Sequence, residues 1–362
     1  MDGVGDDDRK IKRLTAAAPP RTDGAMSARF TLFVGALALA LVPASGVAAW
    51  GATGHRMIGR LATEALPPEV PNFLRTPQAI EAVGELAREP DRSKSAGKAH
   101  DSDRDPAHFV NLGDDGRVAG GPSLDALPPT REAYEAALTA AGADSWKEGW
   151  LPYAIVENWQ QLTKDFAYIR VETVAIKTAS NKRRRVWFTA DLVARRALLL
   201  QDLGALAHYV GDGSQPLHVT VHHNGWGDFP NPDDFTQGRL HARVEGAMVH
   251  DFVSEAAVKT AMTPYHDCDC AVAERTAQYL ATTRLEVTPL YQLQKDGAFK
   301  GGDARSRDFL AARLAAGASE LRDMIIDAWH ASAHAQVGWP ALNVEDVEAG
   351  KTDPWDSLYG AD

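Results

Sequence analysis

The chain is poor in cysteine and has no long hydrophobic run beyond residue 49. Its 362 residues include two cysteines, Cys268 and Cys270, one residue apart in the segment HDCDC. This excludes a fold that depends on a disulfide framework. A strained mutual disulfide, a pair of free thiols and a soft-metal site all remain open for the two sulfurs. After residue 49 no apolar stretch approaches the ~20 residues that a membrane-spanning helix needs, so we expect a soluble mature protein.

Positive charge is also scarce. The chain carries 38 Lys and Arg against 49 Asp and Glu, a formal net charge of −11, and residues 1–49 hold 6 of the basic and 5 of the acidic residues. The remaining chain therefore has a formal charge of −12. Such an acidic protein does not hold nucleic acid by bulk attraction to phosphate. Any phosphate chemistry must depend on bound metals or on a few well-placed Lys and Arg side chains.

The first 49 residues predict an export signal. From Met26 the sequence reads MSARFTLFVGALALALVPASGVAA, with one early Arg, an apolar core over residues 30–42 and small residues at 47–49. This is the pattern of a secretory signal cut before Trp50, and a buried N-terminal helix is the alternative. Residues 1–25 are polar and predict either a disordered extension or a start codon placed too far upstream. We expect an exported protein, periplasmic or extracellular.

Sustained strand patterns are absent, and apolar residues recur at helical spacing instead. Thr130, after two prolines, and Thr189 are expected to begin helices. Two long loops, 90–116 and 221–238, are rich in Gly, Asp, Asn and Pro, and loops of this length in a compact domain are usually functional or disordered. We predict a single all-α, multi-helix domain over residues 50–340 and an acidic C-terminal tail over 341–362. The helical pattern covers residues 55–66, 128–142, 153–169, 189–210 and 240–258.

The segment HYVGDGSQPLH concentrates metal-binding residue types. His208 and Asp212 are four residues apart, which places them on one helix face, and His241 and Glu245 repeat that spacing. Imidazole and carboxylate together are zinc ligands; a helix-terminal His, a capping Asp and a loop His are the structural alternative. We expect the helix to break after His208, so that a turn folds His218 back towards the pair. The residues expected to break it are Gly211, Gly213 and Pro216.

This segment resembles the central motif of the secreted trinuclear-zinc phosphodiesterases, which comprise single-strand-specific nucleases of the P-one and S-one type and zinc phospholipases C. It matches the pattern H-[aromatic]-[aliphatic]-G-D-x-x-Q-P-[aliphatic]-H at every fixed position. A second, independent match is WGATGH at residues 50–55, which is similar to the W-G-x-x-G-H start of the mature nucleases. The resemblance implies an all-α zinc hydrolase of the phospholipase C and nuclease type.

The resemblance also implies a set of site residues and three Zn²⁺ ions. Asp91 is the expected acidic ligand of the first zinc, and the alternatives for this ligand are Asp101, Asp103 and Asp105. Asp91 is also expected to orient the nucleophile, with Lys94 or Arg92 supplying positive charge, although Lys lacks the bidentate geometry of Arg. Phe109 corresponds to a base-stacking residue, and Asn111 stands where the nucleases present an acidic base-reading residue. The implied ligands are Asp91, His108, His208 and Asp212 for the first zinc, His218, His241 and Glu245 for the second, and Trp50 (through its amino nitrogen and carbonyl oxygen), His55 and Asp212 for the third.

The features that bear on the substrate point in two directions. WGATGH and Phe109 resemble the nuclease branch, which implies single-stranded DNA, RNA or nucleotides as substrates, 5′-phosphate products and 3′-nucleotidase activity. Glu245 resembles the phospholipase branch, which closes its second zinc with Glu, and implies a phospholipid head group. A non-catalytic metal-binding helical protein is the third alternative. No stable protein partner can be inferred, and His222, His223, Asn224 and Trp226 belong either to the substrate mouth or to a solvated loop.

Overall fold

The computed structural model describes residues 50–94 and 96–360. The predicted extension 1–25 and the predicted signal segment 26–49 lie outside the described residues. None of the helices within the described ranges combines the length and the apolar character needed to cross a membrane.

Helices build nearly the whole described body. The two strands, β1 (Gln336–Val337) and β2 (Leu342–Asn343), form a small antiparallel hairpin in which Gln336 faces Asn343. The prediction of an all-α fold is confirmed. The helices are α1 (Gly51–Glu64), α2 (Pro77–Leu86), α3 (Glu89–Lys94), α4 (Lys98–Arg104), α5 (Arg131–Ala140), α6 (Ser145–Glu148), α7 (Leu151–Thr178), α8 (Lys182–Ser214), α9 (Met248–Phe252), α10 (Glu255–Ala261), α11 (Val272–Arg284), α12 (Val287–Lys295), α13 (Ala304–Ala331), α14 (Val344–Glu348) and α15 (Trp355–Tyr359).

The centre of the fold is the antiparallel pair of long helices α7 and α8, packed with α13. Their facing side chains, among them Leu162 and Phe166 of α7 and Leu199 and Leu203 of α8, are fully buried. Three residues join the two helices, and the bond from Gln161 Nε2 to Asp202 Oδ2 links them across the pair. Such burial of apolar area is the main stabilising term, and it gives α8 a rigid C-terminal end.

Two details of α8 differ from the sequence-based predictions. The expected start at Thr189 is wrong, because the helix begins at Lys182, where the side chain of Asn181 accepts a hydrogen bond from Arg184 N at 3.0 Å. The expected break after His208 is also wrong, because the helix continues through both glycines to Ser214. A Cβ at Gly211 would lie 3.1 Å from the His55 ring, so this glycine makes room for α1 rather than ending α8.

The segment predicted as an acidic tail packs against the helical body. Val344 and Val347 of α14 are buried with residues of α7, and Trp355 of α15 is buried against Phe188 of α8. Arg184 adds an ion pair with Asp353 at 2.6 Å. The two cysteines lie in the loop before α11, where a disulfide joins Cys268 to Cys270.

Helices α2 and α8 approach each other most closely at Gly204. We predict that Gly204→Ala lowers the free energy of unfolding by about 1–3 kcal/mol, because the added Cβ would lie 2.8 Å from the carbonyl carbon of Leu86. Helix propensity alone predicts the opposite sign, since Ala is favoured over Gly by roughly 0.5–1 kcal/mol in a helix. Urea denaturation measures the difference. Ala194→Gly, at an exposed position of α8, is the control for propensity, and a stabilised Gly204→Ala protein would contradict the close contact.

Candidate metal centre

The first cluster of ionisable side chains lies at the C-terminal end of α8. His208 and Asp212 occupy successive turns of this helix, with His208 Nε2 3.3 Å from Asp212 Oδ2. His108 reaches the same place from the short turn that follows α4. One ligand atom from each of these residues lies within 4.8 Å of the others, and all three residues are buried. This arrangement is dense enough in donors to hold a metal ion.

Two further residues extend the first cluster. Asp91 of α3 lies with its Oδ1 atom 3.9 Å from His108 Nε2 and 4.0 Å from His208 Nε2. His55 of α1 stacks on the His208 ring at a centroid distance of 4.0 Å, and its Nε2 atom is 3.5 Å from Asp212 Oδ1. His55, Asp91 and His208 therefore form a second possible metal-holding group that shares His208 with the first.

A separate cluster joins the turn after α8 to the segment before α9. His218 Nε2 is 3.0 Å from Glu245 Oε1 and 3.1 Å from His241 Nε2, and His241 Nε2 also contacts Glu245 Oε1. Glu245 lies in a π-helical turn, Arg243–Ala247, a local form that is frequent at functional sites. All three side chains are buried, and they too are arranged to hold a metal ion.

Main-chain carbonyls orient three of these imidazoles. The Nδ1 atom of His208 donates to the carbonyl of Ala87 at 2.8 Å, that of His218 to the carbonyl of His108 at 2.5 Å, and that of His108 to the carbonyl of Asp105 at 3.0 Å. When the ring is neutral, Nδ1 carries the hydrogen and Nε2 presents its lone pair to the cluster. Fixing the tautomer in this way is what supporting residues do for metal-ligating histidines.

Many donor atoms of the two clusters have no hydrogen-bond partner, whereas His218 Nε2, His241 Nε2 and Glu245 Oε1 contact one another. Imidazole lone pairs and carboxylate oxygens repel at these distances unless a cation lies between them, and buried polar atoms without partners are rare in proteins. The residues present therefore fit a bound metal. Within the described ranges the unpartnered cluster atoms are His55 Nδ1 and Nε2, Asp91 Oδ1, His108 Nε2, His208 Nε2, Asp212 Oδ1 and Oδ2, His241 Nδ1 and Glu245 Oε2.

The electrostatics of the site differ from ligand to ligand. Burial disfavours the His218 imidazolium, but Asp212 and Glu245 outweigh burial and raise the pKa of His218 to about 9, so a metal ion has to displace a proton from this ring. Burial holds the pKa of His55 and of His108 well below the usual value, so both rings are neutral. Burial disfavours the Glu245 carboxylate, but His241 and His218 outweigh burial and lower its pKa. Neutral imidazole and ionised carboxylate are the states that bind divalent metals.

Trp50 is anchored beside both clusters. Its indole Nε1 donates to Gly211 O and to Ser214 Oγ, both at 2.8 Å, and the residue is fully buried. Gly51 has a φ of +20°, and a Cβ there would lie 3.2 Å from Glu245 O. The start of α1 thus lies directly against the segment that carries Glu245. The short motif at residues 50–55 brings Trp50 and His55 to the same site.

A cleft of about 330 Å³ opens beside the clusters and is shared by His108, His218 and His241. Lys94 lies on it and pairs with Asp91 at 3.2 Å and with Asp105 at 3.4 Å. Burial disfavours the Lys94 ammonium, but Asp91, Asp212 and Asp105 outweigh burial and raise its pKa, so it is cationic. The other lining residues are Asp105, Phe109, Asn111, Trp146, Lys147, Leu217 and His223.

The remaining candidates from the sequence lie in different surroundings. Arg92 pairs with Glu89 and, at 3.7 Å, with Glu85 on the half-exposed side of α3, and it does not line the cleft. Asp101 and Asp103 lie in α4 and belong to none of the metal-holding groups found in the described part of the chain. Of the four Asp candidates, Asp91 is the one that lies within a cluster.

Two cleft residues escaped the sequence-based reasoning. Trp146, which is 56% exposed, and Lys147 come from the four-residue helix α6, which the Asp144 side chain caps by accepting from Lys147 N at 3.0 Å. Asn111 connects this helix to the site, since its Nδ2 donates to Lys147 O at 2.8 Å. No sequence spacing predicts that residues 111 and 146 lie close together. The sequence signal that could have pointed to this helix is Asp144, a residue type that caps helices.

Comparison with known proteins identifies the family of the chain. Residues 50–229 match the family model described as S1/P1 Nuclease. The chain belongs to the S1/P1 nuclease family. A comparison with curated proteins finds no match. Members of this family are zinc-dependent, and membership supports a phosphodiesterase that acts on nucleic acid. The matched range begins at Trp50 and ends before His241 and Glu245, which the fold brings to His218.

Asp212 contacts both His55 and His208, so removing its carboxylate charge should weaken metal binding throughout the first cluster. We predict that Asp212→Asn lowers the zinc content by at least one ion per chain and reduces phosphodiesterase activity at least about 100-fold. Elemental analysis and an activity assay measure the two effects, and circular dichroism checks the fold. Asp251→Asn is the matched control, because Asp251 pairs with His250 on the exposed surface. Unchanged zinc content in Asp212→Asn would contradict the prediction.

Proposed function

We propose that the chain is an exported zinc-dependent endonuclease that hydrolyses single-stranded DNA or RNA to 5′-phosphate products and also acts on 3′-nucleotides. The cleft beside the clusters carries this proposal. It combines two aromatic side chains, Phe109 and Trp146, with two cations, Lys94 and Lys147. Stacking on aromatic rings and cationic contacts with the backbone are how proteins hold single strands without sequence preference.

The proposed metal centre holds three zinc ions. We assign Asp91, His108, His208 and Asp212 to the first zinc, and His218, His241 and Glu245 to the second. The third would be held by the Trp50 amino nitrogen and carbonyl oxygen, by His55 and by Asp212. This division is the one that the family resemblance implies, and the contacts of Asp212 with both His55 and His208 support it. Zinc, when bound, supplies Lewis-acid chemistry at phosphoryl oxygens.

The protein side chains have distinct parts in the proposed reaction. Asp91 Oδ1 would accept a hydrogen bond from the attacking water and so orient it towards phosphorus. Lys94, held at 3.2 Å from the same oxygen, would place its ammonium near the negative charge that develops on phosphate. Arg92 is the weaker candidate for this role, since its guanidinium pairs with acids on α3.

The base side of the proposed site depends on stacking more than on hydrogen bonding. Phe109 lies next to His108, and its ring is available to an unpaired base. The side-chain amide of Asn111 donates a hydrogen bond to Lys147 O and thereby holds the helix that carries Trp146. We therefore propose weak discrimination among bases, because aromatic faces stack with every base.

A zinc-dependent phospholipase C is the second candidate function. Glu245, which contacts both His218 and His241, is the residue that favours it, since the phospholipase branch uses Glu at this place. The two candidates share the hydrolysis of a phosphodiester and differ in the group that fills the cleft.

We expect the processed, zinc-loaded protein to release acid-soluble nucleotides from heat-denatured DNA and from RNA at least about 10-fold faster than from duplex DNA, since only unpaired bases are free to stack on Phe109 and Trp146. A chelator should abolish the activity and added zinc should restore it. Glu245→Gln serves as the inactive control. Hydrolysis of phosphatidylcholine vesicles without hydrolysis of DNA would favour the phospholipase, and zinc binding without either activity would indicate a non-catalytic protein.

The proposed role of Trp50 connects activity to processing. An α-amino group has a pKa of about 7.7–8.0, so zinc readily displaces its proton, whereas a peptide nitrogen is not a ligand of this kind. We predict that protein beginning at Trp50 binds one more zinc and is more active than uncut protein beginning at Met26. Elemental analysis and DNA hydrolysis measure the difference.

The matched control for this prediction is protein beginning at Trp50 with an acetylated amino group, which differs by one small substituent. It should behave like the uncut protein. Equal zinc content and equal activity of the uncut and the processed protein would rule out the amino group as a ligand.

A further inference from the structure

Three consecutive polar residues, His222, His223 and Asn224, lie in the chain between His218 and His241 of the second cluster, and the structure gives each a different environment. The first is buried, the second is exposed, and the third has intermediate exposure. They follow the turn that carries His218, and Asn224 contacts the segment that carries His241.

His222 fixes the backbone on one side of His223. Its ring stacks on Trp226 at a centroid distance of 3.8 Å, and its Nδ1 atom donates to Trp226 O at 2.6 Å. Its Nε2 atom pairs with Asp114 Oδ1 at 2.9 Å. A buried ring held at both nitrogens and on one face leaves this residue a single orientation.

Asn224 fixes the backbone on the other side. Its Oδ1 atom accepts hydrogen bonds from Leu240 N at 3.1 Å and from His241 N at 3.2 Å. The Tyr291 hydroxyl completes the frame, since it donates to His222 O at 2.6 Å and accepts from Gly225 N at 3.1 Å. The loop around His223 is therefore tied to the metal-ligand segment and to the core.

His223 presents its imidazole to the cleft from this frame. The residue is exposed, and it lines the cleft together with His218, His241 and Lys94. An exposed side chain on a backbone fixed from both sides is pre-organised for contact, because little further ordering is needed when a ligand binds. A neutral imidazole offers one N–H donor, which suits an anionic oxygen beside the clusters.

We infer that His223 is a phosphate-binding residue, whose ring N–H donates a hydrogen bond to a non-bridging oxygen of the phosphodiester held at the clusters. This inference rests on the proposed hydrolysis of a phosphodiester at this site, and it does not depend on whether the diester belongs to a nucleic acid or to a lipid. His222 and Asn224 are its positioning residues.

The test compares His223→Ala and His223→Gln with the unchanged zinc-loaded, processed protein. Calorimetry measures the Kd of inorganic phosphate, elemental analysis measures zinc, and kcat/KM is measured on bis(p-nitrophenyl) phosphate and on denatured DNA. For His223→Ala we expect about 10- to 100-fold weaker phosphate binding and a similar loss of kcat/KM on both substrates, the usual effect of losing a hydrogen bond to a charged group, with unchanged zinc. His223→Gln keeps a donor and should recover part of both. His250→Ala, at an exposed His away from the cleft, is the control.

Three results would overturn the inference. Loss of zinc in His223→Ala would make His223 part of the metal centre. Unchanged phosphate affinity would make it a solvent-exposed loop residue. A loss confined to DNA, with bis(p-nitrophenyl) phosphate hydrolysis and phosphate affinity intact, would make it a base contact. Failure of the nuclease proposal is separately visible, because the unchanged protein would then leave DNA intact while phosphate binding still reports on His223.

Discussion

The structure depends on repulsion among buried electron-pair donors, which a bound metal ion would relieve. Imidazole nitrogens and carboxylate oxygens from five parts of the chain meet in the interior with their lone pairs facing inward. Carbonyl oxygens such as Ala87 O and His108 O hold the rings in this orientation by accepting from Nδ1. Without a bound metal these groups would be a cluster of unsatisfied buried polar atoms, which costs folding free energy. We therefore expect metal binding to stabilise the folded protein.

The helical frame serves this arrangement by bringing backbones unusually close together. Gly204 lets α2 approach α8 so that Ala87 O reaches His208, and Gly51 lets α1 approach the turn that carries Glu245. At both positions the absence of a Cβ atom lets two backbones approach, and this approach brings a site residue to the clusters. The burial of α7, α8 and α13 supplies the rigidity that such contacts require.

The cleft shows a division between chemistry and selection. The clusters and Lys94 supply what any phosphodiester needs, namely ligands for metal and positive charge. Phe109, Trp146 and Asn111 form a wall of the cleft, and in the proposed function this wall would select among phosphodiester substituents. His223 lies between the two groups, on a loop whose own anchors, His222 and Asn224, do no chemistry themselves. A small change on the wall can therefore redirect an unchanged reaction centre.

Local sequence determined the helical class of the fold, the Thr130 cap and the grouping of His208 with Asp212, because helical period and cap chemistry act within a few residues. The family motifs added Trp50 and His55. The sequence did not determine that α8 runs on to Ser214, since the need for close packing against His55 and not local propensity explains Gly211. The predicted long loop 90–116 contains most of α3, all of α4 and a short 3-10 helix, so that prediction is wrong for much of the segment. Only the tertiary structure decided which of its carboxylates joins the clusters, that Asn111 contacts the helix that carries Trp146, and that His222 and His223 have opposite environments. Those outcomes depend on contacts between distant segments, for which a linear pattern carries no spacing rule.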